Sequence, residues 1–116
     1  MLITIDVNGA QSLFDQVAAS IRGDIVAGRL SSGDRLPPAR EVADALDINL
    51  HTVLRAYQQL RDEGLIDLRR GRGATVAASA APLAALSGEI SALVTRAASL
   101  GLTPATLAAI IKETTA

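Results

Sequence analysis

Leu36-Pro37-Pro38-Ala39-Arg40-Glu41-Val42-Ala43-Asp44-Ala45-Leu46-Asp47-Ile48-Asn49-Leu50-His51-Thr52-Val53-Leu54-Arg55-Ala56-Tyr57-Gln58-Gln59-Leu60-Arg61-Asp62-Glu63 is the stretch that decides the fold. Pro37-Pro38 opens a helix, with Pro38 suited to the first helical position because it lacks an N–H. Val42, Ala43 and Leu46 fall on its inner side. Asp47-Ile48 breaks it, and Asn49 is placed to cap the next helix through its side-chain oxygen. Ile48 and Val53 are spaced as a hydrophobic staple around that cap. Val53, Ala56, Tyr57 and Leu60 then recur at helical period as one apolar stripe. Gly64 stands where a left-handed stop is expected. Leu65-Ile66-Asp67-Leu68, the turn Arg70-Gly71-Arg72-Gly73 and Ala74-Thr75-Val76 read as strand, turn and strand. The predicted fold is therefore mainly α with a small β-wing, a winged helix-turn-helix.

Upstream, Leu13, Val17, Ile21 and Ile25 recur every fourth residue, with Phe14 and Ala18 alongside. That spacing predicts an amphipathic helix, started by Ser12 with Asp15 and stopped near Gly28. Leu2-Ile3-Thr4-Ile5 alternates and is partly β-branched, which predicts a short strand. Downstream, the small residues 77–82 with Pro82 read as a linker. Leu83, Leu86, Ile90, Leu93, Ala97 and Leu100 then follow at alternating spacings of three and four, the a/d seam of a helix that pairs with another helix. Gly101 ends that helix, and Thr103-Pro104 starts a last one carrying Leu107, Ala108 and Ile111. The division that follows is 1–77 for the winged helix-turn-helix and 78–116 for a short helical tail. The seam fits dimerisation, or packing on the chain's own helices.

Composition narrows the function. The 116 residues hold no cysteine and a single histidine. Disulfides, thiolate nucleophiles and histidine or cysteine metal clusters are excluded, so no cofactor is expected. No glycine-rich turn joins a strand to a helix, and an enzyme is not indicated. No signal peptide is visible, and no apolar run is expected to approach the ~18 residues of a membrane span, which leads to the expectation of a cytoplasmic protein without a membrane partner. The net charge is −1, but residues 35–73 carry seven arginines against six acids. Distribution matters more than the sum for a nucleic-acid reader.

In a helix-turn-helix, the start of the second helix reaches base edges while the first helix crosses the backbone. Arg55 can donate two hydrogen bonds to guanine O6 and N7, or else pair with a neighbouring acid as a solvated residue. His51 and Thr52 can meet bases or phosphates. Leu50 and Leu54 can touch a thymine methyl or pack. Arg35 and Arg40 can anchor phosphates, with an Asp44 pair as the alternative for Arg40. Arg70 and Arg72 at the wing tip can follow a backbone or enter a minor groove. The competing reading is a winged helix that binds protein rather than DNA.

These residues resemble the GntR family of bacterial transcription regulators. The resemblance runs through Leu13-Phe14-Asp15-Gln16-Val17, Gly28-Arg29-Leu30, Gly33-Asp34-Arg35-Leu36-Pro37, Arg40, Ala43, Thr52-Val53, Ala56-Tyr57, Leu60, Glu63-Gly64-Leu65-Ile66 and Gly71 through Val76. The segment 49–57 and the tail broken at Leu100-Gly101-Leu102-Thr103-Pro104 look most like the YtrA subfamily. The resemblance implies a double-stranded DNA operator as partner, contacted through Arg40, Asn49, His51, Thr52, Arg55, Arg70 and Gly71. It also implies a homodimer held by the tail, and repression of the protein's own operon or a transporter operon. An unidentified small-molecule effector would have to bind between protomers or in a cleft, because two short helices cannot enclose the ~300–1,000 Å³ of an ordinary ligand pocket. Leu50 and Leu54 stand where many relatives carry polar residues.

Overall fold

The computed structural model describes residues 3–71 and 73–114. They form α1 (Leu13–Val26), α2 (Ala39–Leu46), α3 (Leu50–Asp62), β1 (Ile66–Arg69), β2 (Gly73–Val76), a single 3-10 turn (Ala78–Ala80), α4 (Ala81–Ser99) and α5 (Pro104–Thr114). The chain divides into two compact units, residues 1–84 and 85–116.

In the first unit α3 is the central element, packing on α1, α2 and β1. Its buried residues are Val53, Ala56, Tyr57 and Leu60, the stripe expected from the spacing. Val17, Ala18, Ile21 and Ile25 of α1 and Val42 and Ala43 of α2 meet them in one core. Tyr57 is 3% exposed, and its hydroxyl donates to the Pro37 carbonyl at 2.6 Å. That bond ties α3 to the segment entering α2. Burial, with the Glu41 carboxylate as a second cause, pushes the Tyr57 phenol up to about 12.

The α2–α3 turn depends on Asp47, whose φ of 53° is left-handed. Aspartate tolerates that region better than most residues, and it lets the Ile48 N–H close on the Ala43 carbonyl at 3.0 Å. Pro38 is the N-cap of α2 and not its first helical residue, a shift of one position.

The wing pairs Ile66 with Val76, Asp67 with Thr75, Leu68 with Ala74 and Arg69 with Gly73 in antiparallel register. Alternation sends Ile66, Leu68, Ala74 and Val76 to the core and leaves Asp67, Arg69 and Thr75 on the other face. Residues 33–36 run beside β2. The Leu36 N–H donates to the Ala74 carbonyl at 2.9 Å and the Val76 N–H to the Asp34 carbonyl at 2.8 Å.

Two expectations are corrected. Residues 3–6 are irregular rather than a strand; Leu2 lies outside the described residues. Among the described residues no strand pairs with the segment. Gln16 holds it instead, accepting from the Asp6 N–H and donating to the carbonyls of Asp6 (2.8 Å) and Gln11 (2.9 Å). Of residues 77–82, read as a linker, all but Ala77 are helical. Ala77 and Ala80 are buried, so their small size serves close packing. Pro82 sits in the first turn of α4, where a missing N–H costs nothing.

In the second unit, Gly101 takes a φ of 82° and the Leu102 N–H returns to the Ala97 carbonyl at 2.9 Å, ending α4. Leu86, Ile90, Leu93, Leu100, Ile110 and Ile111 are exposed. The helix over Ala78–Ser99 is long and apolar enough to cross a membrane by length and composition, which corrects the expectation that no apolar run approaches that length. Its large apolar side chains follow one stripe, however, with Glu89, Ser91, Thr95 and Arg96 on other sides. One-sided apolarity is the pattern of a helix that packs on protein.

Tyr57 is the only tyrosine, and the chain has no tryptophan, so absorbance at 295 nm reports its ionisation alone. Folding favours the neutral phenol. Its stabilisation is complete below pH 10 and is lost as pH rises from 10 through about 12. Tyr57→Phe should lower stability by about 1 kcal/mol at neutral pH and flatten the loss between pH 10 and 12. Denaturant melts at each pH measure both effects.

Candidate nucleic-acid interface

The burial of one side of α3 leaves the other side open. His51, Leu54, Arg55 and Gln58 are exposed along it, and Leu50 and Thr52 are half-buried. Leu50 packs against the core, whereas Leu54 is 37% exposed. The two leucines therefore differ in role: Leu50 anchors the helix start and Leu54 is available for an apolar contact.

Asn49 caps α3, its Oδ1 accepting from the His51 N–H at 2.8 Å. That leaves its amide NH₂ as the group it can offer outward. The cap also holds the first turn, and so sets the direction in which His51 and Thr52 project.

The wing lies beside this surface. Leu54 and Gln58 of α3 line one groove with Arg69, Arg70 and Gly73 of the wing and with Pro37, Pro38 and Ala39 at the entry to α2. Gln58 also lines the cleft on the opposite flank of α3, where Arg55 lies. The order across the surface is thus Arg55, Gln58, then the wing arginines. Arg69 and Gln58 were not among the residues expected to contact DNA. The signal available for Arg69 was its place next to the turn, and for Gln58 its position four residues after Leu54.

Gly71 and Gly73 take φ of 80° and 72°. The tip needs that left-handed backbone, which accounts for both glycines. Arg72 lies outside the described residues. Arg35 pairs with Thr75 across an isolated bridge and so shares the face of Thr75 and Asp67, away from the core. Arg35 and Arg69 line one cleft there. Arg35 is thus set apart from the α3 groove. Arg40 is exposed in the first turn of α2.

The ion pairs among the described residues are Arg22–Glu63 at 2.7 Å, Arg29–Asp24 at 2.7 Å and Arg61–Asp62 at 3.2 Å. None involves Arg35, Arg40, Arg55, Arg69 or Arg70, and the anticipated alternative of an Arg40–Asp44 pair is not formed. No group of histidine and carboxylate side chains suited to a metal occurs among the described residues.

The family model for bacterial regulatory proteins, gntR family, matches residues 13–76, from the first residue of α1 to the end of the wing. The chain belongs to this family. It is 33% identical over 79 residues to the HTH-type transcriptional repressor YtrA of Bacillus subtilis, covering 68% of this chain and 61% of that protein. It is 32% identical over 101 residues to the HTH-type transcriptional regulator Rv1152 of Mycobacterium tuberculosis, covering 87% of this chain and 84% of the relative. Among solved structures, YtrA from Sulfolobus acidocaldarius, a GntR-family transcription factor, is similar with a TM-score of 0.63 at 31% identity. That match covers 85% of this chain and 99% of the other. The first unit is therefore the winged helix-turn-helix of a GntR-type transcription regulator.

Asn49→Ala removes the side-chain acceptor at the start of α3. It should lower the melting free energy by about 1 kcal/mol, while Asn49→Asp, which keeps the acceptor, should stay near the original value. Thermal melts followed by circular dichroism at 222 nm distinguish them.

Proposed function

We propose that this GntR-family protein is a sequence-specific DNA-binding transcription regulator, working in the cytoplasm as a homodimer and repressing the operon it occupies. Each protomer lays α3 in the major groove of one half-site and sets its wing on the neighbouring backbone or minor groove. The two-fold axis would place half-sites about one helical turn, ~34–36 Å, apart.

The observation that carries this reading is the distribution of paired and unpaired arginines. Among the described residues Arg40, Arg55, Arg69 and Arg70, around α2, α3 and the wing, take part in no ion pair, and neither do Arg35 on the far face of the wing and Arg96 in the tail, whereas Arg22, Arg29 and Arg61 are engaged. Unpaired guanidinium groups beside an exposed helix face suit a polyanion. Arg40 and Arg35 would contact phosphates, His51, Thr52 and Arg55 the groove, and Arg70, Gly71 and Arg72 the track of the wing. Asn49 would add its amide donor. The name of the Bacillus relative, a repressor, supports the sign of regulation, and the YtrA-like tail supports control of the protein's own or a transporter operon.

The tail supports the homodimer. Leu83 packs on the core of the first unit and Ala97 is buried. Leu86, Ile90, Leu93 and Leu100 remain exposed along the same helix. A row of exposed large apolar side chains marks an interaction surface, and a second copy presents the same row in return. An effector would bind between protomers or in one of the surface clefts.

Arg55→Ala should cost about 1–3 kcal/mol in operator affinity and relax preference at one base pair. Arg70→Ala should weaken binding to all sequences alike and reduce the salt slope by about 1. Selection of bound sites from random DNA, followed by titrations at several salt concentrations, measures both; binding to no duplex in a salt-dependent manner would refute the assignment. Leu93→Asp should convert a sedimenting dimer into a monomer at micromolar concentration, and a parent chain that sediments as a monomer would remove the dimer from the proposal.

A further inference from the structure

Arg55 does not simply project from α3. Its guanidinium carbon lies 3.8 Å from the centre of the Phe14 ring, inside the range of a cation–π contact. Phe14 is in the first turn of α1, half-buried against the core, and is the only phenylalanine in the chain. The contact therefore joins the helix that would read DNA to the helix that supports it.

A stacked guanidinium uses its face. Its N–H donors point outward in the plane, so the fork stays available for two acceptors. Nearby carboxylates do not take them. Asp62 and Glu63 line the same cleft as Arg55, but Asp62 is engaged by Arg61. Glu63 accepts from both Arg22 Nε at 2.9 Å and Arg22 Nη2 at 2.7 Å. The ring thus narrows the rotamers of a long side chain, which otherwise costs entropy to order on binding, and leaves its hydrogen-bonding edge unused.

We propose that Phe14 is a positioning residue for DNA recognition: its ring holds the Arg55 guanidinium so that the fork meets a pair of acceptors on the duplex, a guanine edge or a backbone phosphate. This rests on the DNA-binding reading above. Phe14 itself touches no DNA and acts only through Arg55.

The test uses the full chain and a duplex recovered by selecting random-sequence DNA with it. Without DNA, the Arg55 side-chain protons should be shifted upfield in NMR spectra. Tyr57 is on the buried side of α3, and His51, four residues before Arg55 on α3, is the other ring within reach; loss of the shift in Phe14→Leu and its persistence in His51→Ala assign it to Phe14. Absence of that shift in the parent protein overturns the proposal. Phe14→Leu, with Phe14→Met as the second variant should leucine unfold α1, should weaken binding roughly two- to fivefold. Phe14→Tyr, which keeps the ring, should restore it. In the Arg55→Ala background the Phe14 change should add nothing. A loss of preference at one base pair assigns the acceptors to guanine, and a reduced salt slope without loss of preference assigns them to a phosphate. Unchanged affinity in Phe14→Leu, or an equal loss with and without Arg55, overturns the positioning role. If Arg55→Ala binds as the parent does while the NMR shift is present, it is the DNA role of Arg55 that falls, and the proposal with it.

Discussion

The outward surface of α3 exists because its inward surface is buried. Val53, Ala56, Tyr57 and Leu60 pack on α1 and α2, and a helix that buries one stripe must present the opposite one. The rotation of α3 about its axis follows from that packing. Tyr57 adds a directional constraint through its bond to the Pro37 carbonyl. The bidentate contact from Arg22 to Glu63 fastens the far end of α3 to α1. With both ends held and the Asp47 turn setting the approach from α2, His51, Arg55 and Gln58 are delivered outward by the core.

Electrostatics follow from this geometry more than from composition. A net charge of −1 gives no hint of a polyanionic partner. The relevant quantity is where charge is left uncompensated. Glu63 pairs with Arg22 between α3 and α1, Asp24 with Arg29 at the end of α1 and Asp62 with Arg61 within α3, whereas no ion pair among the described residues involves Arg40, Arg55, Arg69 or Arg70.

Much of this organisation was legible in the chain. The proline start, the Asn49 cap, the apolar stripe of α3 and the Gly64 stop are local signals, set by backbone sterics and by the period of the helix. The failures were equally physical. Small residues at 77–80 gave the same signal whether flexible or closely packed, and only the neighbouring core decides between them. Ile3 and Ile5 alternate because alternate side chains pack on the core, a pattern that imitates a strand where there is no partner strand. Arg55 and Phe14 lie 41 positions apart in the chain, and no local pattern announces that they meet.

By itself the sequence determined α1, α2, α3 and the wing, the Ser12 and Asn49 caps and the face each of those helices buries, since these depend on residues within a turn or two of one another. The tertiary structure decided which arginines are neutralised, which leucine at the start of α3 is an anchor, and which ring steadies Arg55. Those outcomes depend on side chains brought together across the core, and distance through space is not encoded in the spacing along the chain.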